Sequence, residues 1–285
     1  MEGVVDYKDC KYFFLPLNPL CTTTTTSSST TTTTTTSLIT TTTTSTSSTT
    51  TTTTTQGPIV TTTTTTTMSP EIYGILYNWY AAADSRIVQS GWHVPTSTEW
   101  YDLGLALGGT PDHYPSVYYV SQKMKTIGNE TDGTGLWKKA INPTAEGTNS
   151  SGLSINPAGV IRDDGSPGAR TTDADLWCSD QQSATIGRYY NLNYSTQTLY
   201  RSEAHYTKNH GFSIRLIKDE LTPWNPGDTY TDYDGNIYET VLMDDGKVWL
   251  KEHLRVQHFN DGSLIPTDPV DWSTRTTGAI HTYTV

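Results

Sequence analysis

The sequence predicts an α+β fold, rich in antiparallel sheet with short helices and preceded by an extended Thr/Ser-rich stalk. Three observations lead there. Tyr (18) and Trp (8) far outnumber Phe (4), and residues with a large apolar body and a polar handle suit sheet-rich domains and exposed binding faces. Strand-like segments are short and are separated by Gly-, Asn- and Pro-rich stretches. Residues 22–67 hold 32 Thr and 7 Ser in 46 positions, without a single charge. Thr is β-branched, which disfavours helix and favours extended backbone.

Four regions follow. Residues 1–21 group Phe13, Phe14, Leu15, Leu17 and Leu20 and are expected to act as an N-terminal anchor segment. Residues 22–67 form the stalk. A polar homopolymer has little apolar surface with which to offset chain entropy. Three states therefore stay open for it: a flexible linker, an O-glycosylated rod, or a shaft ordered by neighbouring chains. Leu38-Ile39 and Ile59-Val60 interrupt it as apolar islands. Residues 68–222 read as globular, and residues 223–285 as a second β-like region after Thr222-Pro223-Trp224-Asn225-Pro226-Gly227.

Within 68–222, Thr96 with Glu99 has capping-box spacing and starts a short helix reaching about Leu107, which Gly108-Gly109 ends. Residues 121–127 suggest a second helix. Residues 131–168 read as long loops, and 174–179, 186–194, 198–201 and 211–218 as strands. In the last region, segments 238–243 and 247–250 flank the turn Asp244-Asp245-Gly246, and Asn260-Asp261-Gly262 marks another.

Five ordered motifs carry a resemblance: Tyr73-Gly74-x-Leu76-Tyr77-Asn78-Trp79-Tyr80, Gly91-Trp92-His93-Val94-Pro95-Thr96-x-x-Glu99-Trp100, Thr148-Asn149-Ser150-Ser151-Gly152-Leu153, Leu176-Trp177-x-Ser179 and Gly211-Phe212-Ser213-Ile214-Arg215. Residues 72–219 thereby resemble the Fibrobacter succinogenes major paralogous domain. The resemblance implies a C-type-lectin-like fold used for display and recognition. Asp232-x-Asp234-Gly235-Asn236-x-Tyr238, Trp249-Leu250-x-Glu252-x-Leu254-Arg255 and Phe259-Asn260-Asp261-Gly262 resemble the segment that normally opens that domain. The halves thus stand in swapped order. The arrangement is a permutation within one chain, a complementation between subunits, or a truncated second copy. Leu216 stands where the family often carries Cys, which leaves Cys178 without that partner.

The search for chemistry yields no catalytic, cofactor or metal residues. Asp232-Tyr233-Asp234-Gly235-Asn236 starts like an EF-hand loop, but Ile237 and Met243 occupy the positions that need Gly and Glu, so a β-turn is expected. The pairs His205/His210 and His253/His258 are each five apart, which would set them on opposite faces of a strand with no third ligand. Asp163-Asp164 reads as a solvated turn. Cys10 and Cys21 are either a short-loop disulfide or two thiols. Trp137, Tyr189 and Tyr190 are candidates for stacking on a sugar, weighed against burial in a core.

A net charge of −11 opposes nucleic acid, and no stretch is apolar enough to span a bilayer. A display-type composition without a recognisable export signal is what a virion protein would show. The expectation is a non-enzymatic virion appendage protein, a phage fibre or decoration subunit. It would self-associate, contact other structural proteins through residues 1–67, and have a cell-surface glycan as candidate ligand. The alternative is a subunit of a bacterial extracellular filament or a surface adhesin, assembled by inter-chain complementation.

Overall fold

A computed structural model describes residues 70–112, 115–201, 206–219 and 223–282. The anchor, the stalk, Cys10, Cys21 and His205 lie outside the described residues.

The body opens with helix α1 (Pro70–Tyr73), strand β1 (Leu76–Asn78) and helix α2 (Trp79–Ala82). Asn78 caps α2 by accepting from the Ala81 amide at 3.0 Å. Strand β2 (Trp92–His93) leads into helix α3 (Ser97–Ala106), which has the predicted capping box between Thr96 and Glu99. Strands β3 (Thr110–Pro111) and β4 (Val117–Tyr118) precede helix α4 (Ser121–Met124). This helix stops three residues short of the expected end at 127, because Lys125 turns extended and bridges Ile155. The Thr126 amide then donates to the Ile155 carbonyl at 3.0 Å.

The predicted loop region contains a hairpin of β5 (Val160–Ile161) and β6 (Pro167–Gly168), with Asp163-Asp164 exposed in its turn. Strands β7 (Asp173–Gln181), β8 (Gly187–Asn193) and β9 (Leu199–Arg201) follow as predicted. The expected single strand at 211–218 is instead two, β10 (Gly211–Phe212) and β11 (Ile217–Lys218). Between them Ser213 bridges Leu176 of β7, so the chain passes from one sheet to another. The C-terminal region supplies β12 (Thr229–Thr231), β13 (Ile237–Leu242), β14 (Val248–Leu250) and β15 (Ile280–His281). Residues 232–236 form the turn between β12 and β13, and the predicted turns at 244–246 and 260–262 are present.

Among the described residues, three five-stranded sheets result, ordered β15-β1-β10-β5-β6, β12-β13-β14-β11-β2 and β3-β4-β9-β8-β7, all paired antiparallel. The protein is thus sheet-rich α+β. Residues 223–285 are no separate unit, since Trp249 pairs with Ile217, and Ile280 with Tyr77. Tyr230, Tyr238, Leu254 and Phe259 share one apolar cluster with Tyr77 and Trp177. A second cluster joins Trp100, Leu103, Leu176 and Tyr190 to Trp249.

The motif residues hold this core together. Trp177 donates its indole N–H to the Tyr77 carbonyl at 2.7 Å, and Trp79 donates to the Cys178 carbonyl at 3.0 Å. Gly187 lies against both Trp79 and Trp177, and a Cβ there would overlap the Trp79 indole. Gly187→Ala is expected to cost about 1–3 kcal/mol by overpacking, read as an earlier urea midpoint with an unchanged slope.

Lys125 is buried beneath this scaffold. Its ammonium donates to the carbonyls of Ala145, Asn193 and Thr196 at 2.6, 2.9 and 3.1 Å. Burial lowers its pKa to about 8. It braces the turn at Ala145 and the β8–β9 connection, and has no open position for a ligand.

Candidate functional site

Strand alternation places the side chains of β7 and β8 on two faces. Ala174, Leu176, Tyr190 and Leu192 point into the second cluster. Asp173, Asp175, Asn191 and Asn193 lie on the other face. The cross-strand register sets Asp175 opposite Asn191, and Asn191 opposite Tyr200 of β9. A concavity of about 300 Å³ forms over this row, lined by Asp173, Asp175, Tyr189, Asn191, Tyr200 and Tyr206.

Hydrogen bonds fix the polar floor. The Asn191 amide donates to Asp173 Oδ1 at 3.1 Å and to Asp175 Oδ1 at 2.9 Å. Asn193 donates to Asp173 Oδ1 at 2.8 Å, and Thr172 Oγ1 donates to Asp173 Oδ2 at 2.7 Å. Both oxygens of Asp173 are therefore engaged. Asp175 is 3% exposed. Burial first, and the neighbouring Asp173 charge second, raise its carboxyl pKa to about 8 against the pull of the Asn191 hydrogen bond.

The Tyr189 and Tyr206 rings lie 5.2 Å apart, backed by Phe212 at 4.9 and 5.3 Å. Tyr200 is 48% exposed at the rim. Aromatic walls on a carboxyl and amide floor are suited to holding a polar ligand.

The Asp175 carboxyl binds a proton in the folded state and releases it when unfolded above the ordinary carboxylate range. Its contribution to stability is full below about pH 4 and declines as pH rises towards about 8. Asp175→Asn is expected to remove this decline. The difference in unfolding free energy between variant and parent should shift in the variant's favour, by up to about 1.4 kcal/mol per pH unit between about pH 6 and about pH 8. Urea titrations across that range measure it.

The sequence-predicted candidates are distributed differently. Tyr189 reaches the concavity. Trp137 and Tyr190 are core residues, 2% and 0% exposed, and their polar atoms serve the backbone: Trp137 donates to the Ile155 carbonyl and Tyr190 to those of Ser97 and Pro115. The histidines do not lie on opposite faces of strands as expected. His210 sits in the turn before β10, and His253 and His258 follow β14 in loops. His258 pairs with Asp234 at 2.6 Å, while His253 is buried against Arg215. Among the described residues, no group of three or more His, Cys, Asp or Glu could hold a metal ion. Cys178 is buried, free and far above the usual thiol range through burial.

His93 belongs to a motif but has a structural role. It joins Asp219 at 2.5 Å and Glu99 at 3.1 Å, and Glu99 also accepts from Lys247 at 3.0 Å. Despite the cost of burial, these partners and the Thr96 amide hold the Glu99 carboxyl at about 2. The set ties the start of α3 to the ends of β11 and β14.

Asp173, Asp175, Asn191, Tyr200 and Tyr206 were not singled out by motif. For the polar residues the signal available was alternation, Asp-x-Asp beginning one residue before a segment read as a strand and Asn-x-Asn inside another; Tyr206 lay outside those segments.

The fold is a sheet-rich α+β domain with this concavity on the outer face of β7 to β9. A family model for the Fibrobacter succinogenes major domain matches residues 22–218, and the chain belongs to that family. Residues 219–285 lie outside the match, though they complete two of the sheets. No curated protein and no solved structure matches the chain. Among the described residues, no helix is long and apolar enough to cross a membrane.

Proposed function

We propose that the chain is a non-enzymatic structural appendage protein of a virion, a phage fibre or decoration subunit. In this reading its C-type-lectin-like body recognises a cell-surface glycan through the concavity over β7, β8 and β9. The observation that carries this is the tyrosine-rimmed polar concavity over three paired strands, in a chain that also contains an uncharged Thr/Ser tract. Short helices, antiparallel sheets and long loops support the lectin-like reading, and homo-oligomerisation through residues 1–67 would present several concavities at once. Residues 223–285 act here as the family's opening segment in permuted order within one chain. The pairing of β14 with β11 and of β15 with β1 supports this.

Immunogold electron microscopy with antibodies against the body tests the assignment. Label on particle appendages is the expected result. Label confined to bacterial filaments or cell surfaces would instead support the extracellular-filament alternative. Loss of host-surface binding on Tyr200→Ala is expected for the recognition role. Turnover of a surface polysaccharide by the purified chain would overturn the non-enzymatic reading.

A further inference from the structure

We propose that the concavity over β7, β8 and β9 binds an organic ammonium group, such as choline or a protonated amino sugar on a surface polymer, with Asp175 as counter-ion. The inference rests on the recognition role given above to that concavity and names its ligand chemistry. It is carried by one buried carboxyl and its surroundings. One oxygen of Asp175 accepts from Asn191 at 2.9 Å, and among the described residues the other has no hydrogen-bond partner. The residue is 3% exposed, yet it lines the concavity. A carboxyl oxygen without a protein partner, on a largely buried residue that lines a surface depression, is a site for a donor or a positive charge.

The walls choose between those two. Tyr189, Tyr200 and Tyr206 supply three electron-rich rings around the carboxyl, and such rings attract organic cations, quaternary ammonium above all. Among the described residues, no cation already serves Asp175. The Arg162 guanidinium is held across its own hairpin by the Pro167 carbonyl at 2.9 Å and by Ser166 Oγ at 3.3 Å. His210 stacks 4.5 Å from Tyr206, and burial lowers its pKa. The remaining charged group is Asp173, a second negative charge on the same strand. Calcium is a poorer fit. It needs six to eight oxygens, and both oxygens of Asp173 are already committed to Thr172, Asn191 and Asn193.

Because Asp175 holds its proton up to about pH 8 in the empty protein, ammonium binding displaces that proton to solvent. Affinity should therefore rise with pH and level off above about 8, by up to about tenfold per pH unit below it.

Isothermal titration of the full chain with choline chloride, glucosamine, glucose and calcium chloride, at about pH 6, about pH 7 and about pH 9, tests this. Choline and glucosamine should both bind at about pH 7; choline, whose charge does not titrate, should show the stated pH dependence, whereas glucosamine loses its charge towards about pH 8 and should weaken at about pH 9. Asp175→Asn should weaken binding at least about tenfold and abolish that dependence. Tyr200→Ala, at an exposed rim position, should weaken binding several-fold without moving the melting temperature. Binding of glucose as tight as glucosamine, displacement of choline by calcium, unchanged affinity of Asp175→Asn, or no heat with either ammonium probe would each overturn the proposal. Tight glucose binding would leave the recognition role standing while removing the ammonium preference. Host-surface binding unaffected by Tyr200→Ala would remove the recognition role itself.

Discussion

Replacing Arg215 by Met should bring the body to the edge of unfolding. Arg215 is fully buried, and its guanidinium donates to the carbonyls of Leu250, Leu153 and Ser154 at 2.7, 2.9 and 2.9 Å. Among the described residues no carboxylate hydrogen-bonds to it; Glu252 acts on it through charge alone, the guanidinium is solvated by backbone dipoles, and burial lowers its pKa to about 9. Met fills a similar volume but takes the donor from two buried carbonyls and one part-buried one. Each costs about 1–3 kcal/mol, so the sum approaches the roughly 5–15 kcal/mol that holds a domain folded. Arg215→Lys should recover part of the loss, since an ammonium serves one or two of those carbonyls. Urea denaturation of the three proteins measures the series. A cost below about 2 kcal/mol for the Met variant would show that the carbonyls find other donors.

The same arginine sets the state of His253. Its Nε donates to His253 Nδ1 at 3.3 Å, so that nitrogen must accept, and the opposite N–H of the ring donates to the Asn156 carbonyl at 3.0 Å. Burial and the adjacent guanidinium hold His253 well below its usual range. Its stabilising contribution is present above about pH 6.5 and is lost as pH falls through the folded-state value.

The second large effect concerns residues 223–285. A chain ending at Thr222 lacks β12 to β15 and the buried side chains of Tyr238, Trp249, Leu250, Leu254, Phe259 and Ile280. At about 1.5–3 kcal/mol for each buried large side chain, that loss is as large as the whole stability of an ordinary domain, about 5–15 kcal/mol. The truncated chain should show no cooperative thermal transition, and adding residues 223–285 in trans should restore one. Restoration would show that the segment acts as a complementing half. An independent transition in either piece would overturn the single shared core.

The sequence and the structure agree best where the signal is local. The capping box, the turns at 232–236, 244–246 and 260–262, and strands β7 to β9 all depend on residues a few positions apart. The family motifs were legible too, and their residues are structural: Tyr77, Trp79, Trp177 and Arg215 hold the core. The division of 211–218 into two strands was not legible, because it depends on Ser213 meeting β7 from far away in sequence. The concavity was hidden for a related reason. Its floor comes from the cross-strand register of β7, β8 and β9, and its wall from Tyr206 before β10. Only Tyr189 among the sugar-stacking candidates belongs to it, since Tyr190 next to it points to the opposite face.

The pairing of β15 with β1 also determines how the body would respond to pulling. Leu76 faces His281 and Tyr77 faces Ile280, so the outward-leading ends of the two strands lie side by side. Tension applied between residues 70 and 282 would load these bonds one after another, in an unzipping mode, instead of shearing them together. Strand β15 would peel first and expose the Tyr77 edge, whereas a pull on the N-terminal side alone would leave the pair unloaded. Force that enters at residue 70 and leaves elsewhere in the body avoids the direction in which this sheet is mechanically weakest.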